Sequence, residues 1–381
     1  MSQTFYPCVF YRGGTSKGMF FHAKDLPADR AATDRILLAA IGSPDPYERQ
    51  LNGLGGGLSS LSKAVIIGPP THPDADVDYT FVQLAVDEAV ADWTNNCGNL
   101  SSAVGHFAVD EGLVPAPDGE VLVRIWQTNT QKLIHSRFEV KNGKAVVTGD
   151  FRIAGVAGTG GRVRLDFLAP DGAVTGKLLP TGKVVDVIDL GADGVVEVTI
   201  IDATSPLVYV AATSLGLDGS ESPDAIEAMP DVMARLERIR RIAGVMMGLG
   251  PTPDSIGLQT PRVAMVAAPK SFRALDGEEI DATAFDISTR MMSMQRAHRA
   301  IPGTGGLNLG VASQVPGTIP NRVSRPANEH GEVRVANPSG LVSVGAVIGQ
   351  DKGQWSAESA LLFRTARRLM QGEVAVPVDR L

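Results

Sequence analysis

Short β-branched runs bounded by glycine or proline recur along the first half of this chain: Lys63–Ile67, Asp78–Val86, Glu120–Trp126, Lys144–Thr148, Arg162–Phe167, Lys183–Val187 and Val195–Ile201. That rhythm predicts a strand-rich, antiparallel fold with many turns. Helical periodicity is rarer. It covers Ala31–Ile41, Asn99–Glu111, Ser222–Met247 (interrupted near Met229-Pro230), Gly306–Ser313 and Ala357–Met370. The pattern restarts after Asp202-Ala203-Thr204-Ser205-Pro206 with the strand Leu207–Ala212. Each half holds one Gly/Asn/Thr-rich turn feeding a helix of small residues, at Asn95–Ala103 and at Pro302–Ala312. A helix of small residues can be enclosed by sheet on every side. The prediction is an α+β protein of two pseudo-symmetric lobes, each a strand-rich, barrel-like antiparallel sheet around a central helix, with the ligand in the cleft between them. Residues 1–200 make the first lobe and 201–381 the second, the last segment being free to return to the first.

Composition narrows the function classes. With 381 residues, 44% hydrophobic and 20% charged, the chain suits two lobes of a globular protein. A net charge of −7 without a basic cluster excludes nucleic acid as a natural partner. It also means that an anionic substrate must find its positive potential locally. No leader-like segment or long apolar run stands out, so no membrane association is expected and the protein reads as cytoplasmic. Monomer and homodimer are equally compatible with the sequence. Two cysteines, Cys8 and Cys97, cannot build a cysteine-rich metal site, and the six histidines show no metal-like pairing. No G-x-G-x-x-G lies in a strand–helix context, so neither a metal nor an organic cofactor is expected.

The candidate chemistry sits at Asn96-Cys97-Gly98-Asn99, where a thiol precedes a helix start. Such a thiol feels the positive end of the helix dipole and ionises more readily than a free one, and the exposed N–H groups beside it form an anion seat. A lone cysteine is as often a small buried hydrophobe, but a core cysteine has no need of three turn-forming neighbours. Lys63 follows the serine-rich loop Ser59-Ser60-Leu61-Ser62 and opens an apolar strand, which makes it the second candidate proton-handling group. The turn Arg12–Gly18 contributes Arg12, Thr15 and Ser16, and the second glycine turn contributes Gly303, Thr304 and Gly305. His106 lies nine residues after Cys97, on the opposite face of a regular helix.

Four segments together resemble the PrpF-type isomerases, which share the diaminopimelate-epimerase-like fold. They are Arg12–Gly18 with Phe20-Phe21, Ile41-Gly42-Ser43-Pro44-Asp45, the serine loop ending in Lys63, and Asn96-Cys97-Gly98-Asn99. The resemblance implies a cofactor-independent isomerase that moves a proton across an allylic system in a small unsaturated di- or tricarboxylate. Such an acid would be 4-oxalomesaconate, 2-methylaconitate, methylitaconate or aconitate. It places the family's catalytic pair on Lys63 and Cys97, with base and acid assignable either way round. Substrate contacts would fall to Arg12, Thr15, Ser16, Ser59, Ser60, Asn96, Gly98, Asn99, Gly303, Thr304 and Gly305. Two rivals remain. A racemase or epimerase needs a second base, yet Pro302 stands where a second thiol would sit. An accessory protein that kept the fold without catalysis would have no reason to retain both Lys63 and Cys97.

Overall fold

The computed structural model describes residues 2–381 and, apart from positions 293 and 351, their side chains. The chain forms two compact units, Met1–Asp166 with Arg364–Leu381, and Phe167–Phe363. The change of unit thus falls after Asp166 instead of near residue 200. The reason is hydrogen bonding: Asp186–Asp189 pairs with Val195–Ala203, which pairs in turn with Ser205–Ala211.

In the first unit β1 (Gln3–Gly13) and β2 (Ser16–His22) form a hairpin, and β2 runs parallel to β3 (Lys63–Gly68). β3 pairs antiparallel with β4 (Val77–Leu84), which runs parallel to Gly119–Gln127, itself antiparallel to Lys132–Lys141. The C-terminal strand Ala366–Pro377 lies along the outer side of β1. Alternation along each strand serves two helices. Met19 and Phe21 join Cys8, Ala64 and Val82 in a core against α1 (Arg30–Ile41). Phe20 points the other way, with Tyr11, onto Phe107 of α2 (Gly98–Asp110), at ring separations of 5.7 and 6.3 Å. Every residue of α2 from Leu100 to Val109 is buried. Small side chains make this possible: a Cβ on Gly105 would lie 2.6 Å from the Phe138 ring.

The second unit repeats the order of pairings. Val195–Ala203 is antiparallel to Ser205–Ala211, which is parallel to Arg262–Ala267. That strand is antiparallel to Ile287–Ser293, which is parallel to Glu332–Asn337, and the last pairs antiparallel with Gly340–Asp351. In both units a buried helix falls between the fourth and fifth strands of the series. Here α3 (Pro223–Glu227) and α4 (Pro230–Met246) pack on one face, and α5 (Gly303–Gln314) is buried from Gly305 to Ser313, followed by α6 (Ile319–Val323). A Cβ on Gly310 would meet the Gly345 backbone at 2.7 Å, so α5 too depends on small residues.

The expected strand Lys183–Val187 is displaced to Asp186–Asp189, and two further expectations fail. Ala357–Met370 is not a helix: Gln354–Arg364 and Ala366–Pro377 are strands. Ala, Leu, Glu and Arg favour helix locally, but pairing with Gly340–Asp351 on one side and β1 on the other overrides that preference. Likewise the expected Lys144–Thr148 strand is regular only over Lys144–Ala145, although the Val146 N–H still donates to the Glu139 carbonyl at 2.9 Å. Among the described residues no helix is long and apolar enough to cross a membrane.

His106 supplies a test of the first unit's core. It is fully buried on α2 against Phe138, and neither ring nitrogen has a hydrogen-bond partner among the described residues. Burial pushes the imidazole down to about 4, with Asp110 opposing and Arg12 reinforcing that shift. The native state therefore stays neutral while the unfolded chain takes up a proton below about pH 6.5. Stability is complete above that value and is lost as pH falls towards 4, by roughly 3 kcal/mol from this group. Urea unfolding of His106→Leu should lose less stability than wild type between pH 7 and pH 4.5. Equal losses would show that His106 does not govern acid sensitivity.

Candidate active site

Cys97 is the N-cap of α2, in extended backbone conformation and nearly buried. Its carbonyl accepts the first intrahelical bond, from the Ser101 N–H, at 2.9 Å. The N–H groups of Gly98, Asn99 and Leu100, in the first turn after the thiol's residue, have no hydrogen-bond partner among the described residues. The Cys97 carbonyl also accepts from the Ser101 hydroxyl at 2.9 Å and from the Tyr79 hydroxyl at 3.4 Å. Burial, and then negative charge at Cys97, push the Tyr79 phenol well above its usual range, so it stays a neutral donor. Asn96 accepts from the same Ser101 hydroxyl at 3.2 Å.

The β1–β2 turn is moulded onto this helix start. Gly13 and Gly14 approach so closely that a Cβ would fall 2.6 Å from the Asn99 carbonyl oxygen and 2.3 Å from Asn99 Oδ1 respectively. Asn99 donates to the Thr15 hydroxyl at 3.1 Å and accepts from Arg364 Nε at 3.0 Å. Arg12 spends one guanidinium nitrogen on the carbonyls of Gly14 and Thr365, both at 2.9 Å, and the Gly14 N–H donates to the same Thr365 carbonyl. Arg12 thus fastens the turn, a structural task that its motif position did not announce. Ser16 is buried at the start of β2, next to the same turn.

Lys63 opens β3 with its side chain buried. Its Nζ donates to Gln83 Oε1 at 2.7 Å and lies 5.0 Å from the centre of the Phe81 ring. Gln83 is held the right way round, because its amide nitrogen donates to the Ser59 and Ser62 carbonyls at 3.0 and 2.9 Å. Tyr79, Phe81 and Gln83 alternate along β4 and so share one face. That face supports the Cys97 carbonyl at one end and the Lys63 amine at the other. Ser59 and Ser60 form a 3-10 turn just ahead of Lys63. The preceding glycine loop is organised by buried Gln50, whose Oε1 accepts from the N–H groups of Gly56 and Gly57 and from the Ser62 hydroxyl. Asp45 in turn accepts from the N–H groups of Tyr47, Arg49 and Gln50, which hold its carboxyl below the usual range.

Eight of the sequence candidates outside the proton-handling pair, Arg12, Thr15, Ser16, Ser59, Ser60, Asn96, Gly98 and Asn99, therefore belong with Lys63 and Cys97 in the first unit. Gly303, Thr304 and Gly305 form the first turn of α5 in the second unit. Cys8 lies in the α1 core, where burial pushes its thiol up to about 12. Sequence reasoning missed Tyr79, Gln83, Gln50 and Arg364. Gln83 was within reach, since it shares the inward phase of Tyr79 and Phe81. Arg364 was hidden by the false helix. Burial pushes its guanidinium down to about 10, and negative charge at Cys97 acts in the opposite direction, so Arg364 is a cation close enough to the thiol to feel its charge. Among the described residues no group of three or more His, Cys, Asp and Glu side chains is arranged to hold a metal ion.

Two substitutions test this construction. Gly14 and Gly112 both adopt positive φ, +53° and +71°, but only at Gly14 does a Cβ collide with anything. Each alanine variant should lose about 1 to 3 kcal/mol from backbone strain. Only Gly14→Ala should also lose catalytic activity, and equal activities would show that the turn does not hold the helix start. Gln83→Leu leaves the Lys63 amine without its acceptor. It should lower kcat by roughly tenfold or more; an unchanged kcat refutes the positioning role.

The chain matches the PrpF protein family over residues 3–377. It is 42% identical over 379 residues to a 3-methylitaconate isomerase of Eubacterium barkeri, covering 98% of each chain. It is 40% identical over 386 residues to a 2-methyl-aconitate isomerase of Cupriavidus necator, covering 98% of this chain and 97% of the relative. A (4E)-oxalomesaconate Delta-isomerase of Novosphingobium sp. (strain KA1) is 35% identical over 371 residues, with 97% of each covered. The crystal structure of a methylitaconate-delta-isomerase superposes with a TM-score of 0.89 at 41% identity, covering 100% of this chain and 97% of that one. The chain belongs to the PrpF family and is an isomerase.

Proposed function

We propose that this protein catalyses a 1,3-allylic proton shift, or the related double-bond isomerisation, on a small unsaturated di- or tricarboxylate. Methylitaconate, 2-methylaconitate and 4-oxalomesaconate, the acids named for its relatives, are the first candidates. The observation that carries the reading is the shared support of Lys63 and Cys97 on the Tyr79–Phe81–Gln83 face of β4. In this reading Lys63 removes the proton from carbon, and Cys97 is the partner acid across the allylic system; the reversed roles fit the same residues.

A proton on carbon beside a carboxylate is weakly acidic, so the enolate-like charge that develops needs donors already in place. The free N–H groups of Gly98, Asn99 and Leu100 are such donors, and the cation of Arg364 adds to the field around them. Thr15, Ser16, Ser59, Ser60, Asn96, Asn99, Gly303, Thr304 and Gly305 are the proposed substrate contacts. Arg12 serves them by holding the Gly14–Thr15 turn. Racemisation is the weaker reading, because the N-cap of α5, the counterpart of Cys97, is Pro302 and carries no thiol. Both lobes of the diaminopimelate-epimerase-like fold expected from the sequence belong to this proposal, as does the division of labour between them.

Proton NMR in D2O tests it directly. Enzyme would be mixed in turn with cis- and trans-aconitate, 2-methylaconitate, methylitaconate and 4-oxalomesaconate, beside Lys63→Ala and Cys97→Ser. Wild type should show double-bond migration or deuterium uptake on at least one acid. Each variant should fall by about a thousandfold or more, about 4 kcal/mol of transition-state stabilisation. Turnover that survives in Lys63→Ala would remove the proposed base, and silence on every acid would remove the substrate class.

A further inference from the structure

The face of β4 that supports Lys63 and Cys97 belongs to a strand with a gap along one side. β3 lies beside the whole of β4 from Asp78 to Gln83. On the other side, Gly119–Gln127 pairs only with Val77–Tyr79, and the short strand Ala91–Asp92 pairs only with Gln83 and Leu84. Phe81 falls between these two neighbours and is 2% exposed, so neither a strand nor water can satisfy its N–H and C=O there. Asn129, in the turn after Gly119–Gln127, fills the gap. Its Oδ1 accepts from the Phe81 N–H at 2.8 Å, and its Nδ2 donates to the Phe81 carbonyl at 2.9 Å. A primary amide carries an acceptor and a donor side by side, as a neighbouring strand does, and among side chains only asparagine and glutamine have one.

The surroundings fix that amide the right way round. Buried Gln127 spends its Oε1 on the Thr130 N–H and hydroxyl, at 2.7 and 2.6 Å. Its Nε2 is thereby turned to donate to Asn129 Oδ1, while Asn129 Nδ2 also donates to the Trp93 carbonyl. The turn itself is tied to β4 by the Thr128 N–H, which donates to the Tyr79 carbonyl at 3.0 Å, and by a 2.6 Å bond between the Thr80 and Thr128 hydroxyls. Where the Phe81 backbone stands decides where its ring stands, and the ring centre lies 5.0 Å from Lys63 Nζ. A cation is attracted to an aromatic face only within about 6 Å, so this contact has little slack.

We propose that Asn129 is a positioning residue for the isomerase reaction: it stands in for the missing strand partner of Phe81 and so keeps the Phe81 ring against the Lys63 amine. This rests on the reading of Lys63 as a proton-handling group. Asn129 touches neither the amine nor the thiol, and its effect passes through the backbone of one residue. Removing its amide leaves two buried backbone groups unpaired, which drives β4 to shift at Phe81.

The test pairs steady-state kinetics with an NMR readout that needs no turnover. In protein labelled with carbon-13 at the lysine ε-carbon, the Lys63 signal is assigned by its loss in Lys63→Ala. The ring current of Phe81 should shift the Lys63 ε-protons upfield in wild type, and Phe81→Leu should return them to the ordinary lysine position. Asn129→Ala should move them the same way, as should the isosteric Asn129→Asp, which cannot donate to the Phe81 carbonyl. Asn129→Ala should lower kcat by about tenfold with KM within about threefold of wild type, yet by less than about threefold when added to Phe81→Leu. Thr128→Val weakens the same turn without touching Phe81; it should lower Tm by a few degrees and leave kcat and the lysine signal unchanged. A wild-type Lys63 signal at the ordinary position, or one that stays put in both Asn129 variants, would overturn the proposal. Equal falls in kcat in the two backgrounds would overturn it as well. Absence of turnover by wild type on every acid would refute the isomerase reading instead, with the lysine signal still reporting on Asn129.

Discussion

The close fit of the β1–β2 turn against the start of α2 constrains most of the first unit. Backbone lies directly against the helix there, with glycine at both points of contact, and Asn99 is gripped from either side by Thr15 and Arg364. This fit fixes where Cys97 stands, because the N-cap cannot shift without breaking the Asn99 contacts. The Thr15 side chain bonds to the Asn99 side chain and not to the helix N–H groups, as the proposed anion seat requires. The C-terminal segment takes part through Thr365, whose carbonyl receives both Arg12 and Gly14. A chain segment more than three hundred residues away in sequence thus closes the structure around the thiol.

Lys63 is held by a different device. A lysine taken out of water loses solvation that few neighbours can replace, and here one amide and one aromatic face supply the replacement. The amide is itself locked by two backbone carbonyls of the serine loop, and that loop is gathered by Gln50. No carboxylate among the described residues pairs with the amine. A neutral partner orients the amine without adding an opposing charge, which suits the proton-handling role proposed for it.

Much of this was legible in the sequence because it depends on local signals. Gly-rich turns, β-branched runs and the Asn-Cys-Gly-Asn segment each point to a backbone conformation at their own position, and the strands and the cap of α2 followed. What escaped depended on partners distant in sequence. The segment after Ser356 has helix-forming residues, and only its pairing with Gly340–Asp351 and β1 makes it strand, so Arg364 was lost with it. Gln50 carries no local mark at all; the four hydrogen bonds of its side chain come from how the loop folds back over it. Arg12 stood out as a charge near a glycine turn and so looked like a ligand contact; its further task, one guanidinium nitrogen bonding the Gly14 and Thr365 carbonyls, depends on a partner distant in sequence.

The correspondence between the units bears on the proposed chemistry. Both present a hairpin turn against the start of a buried helix, and both open the third strand of the series with a cation. In the first unit the helix cap is a thiol and the cation a lysine, each able to exchange a proton. In the second the cap is Pro302, which has neither a side-chain proton nor a backbone N–H, and the cation is Arg262, which keeps its proton. Inversion at a stereocentre needs proton exchange on both faces of a carbon, whereas moving a double bond needs only a donor and an acceptor placed along one allylic system. The residues at these matched positions therefore fit the proposed double-bond shift better than they fit inversion, because only the first unit offers two groups able to exchange a proton.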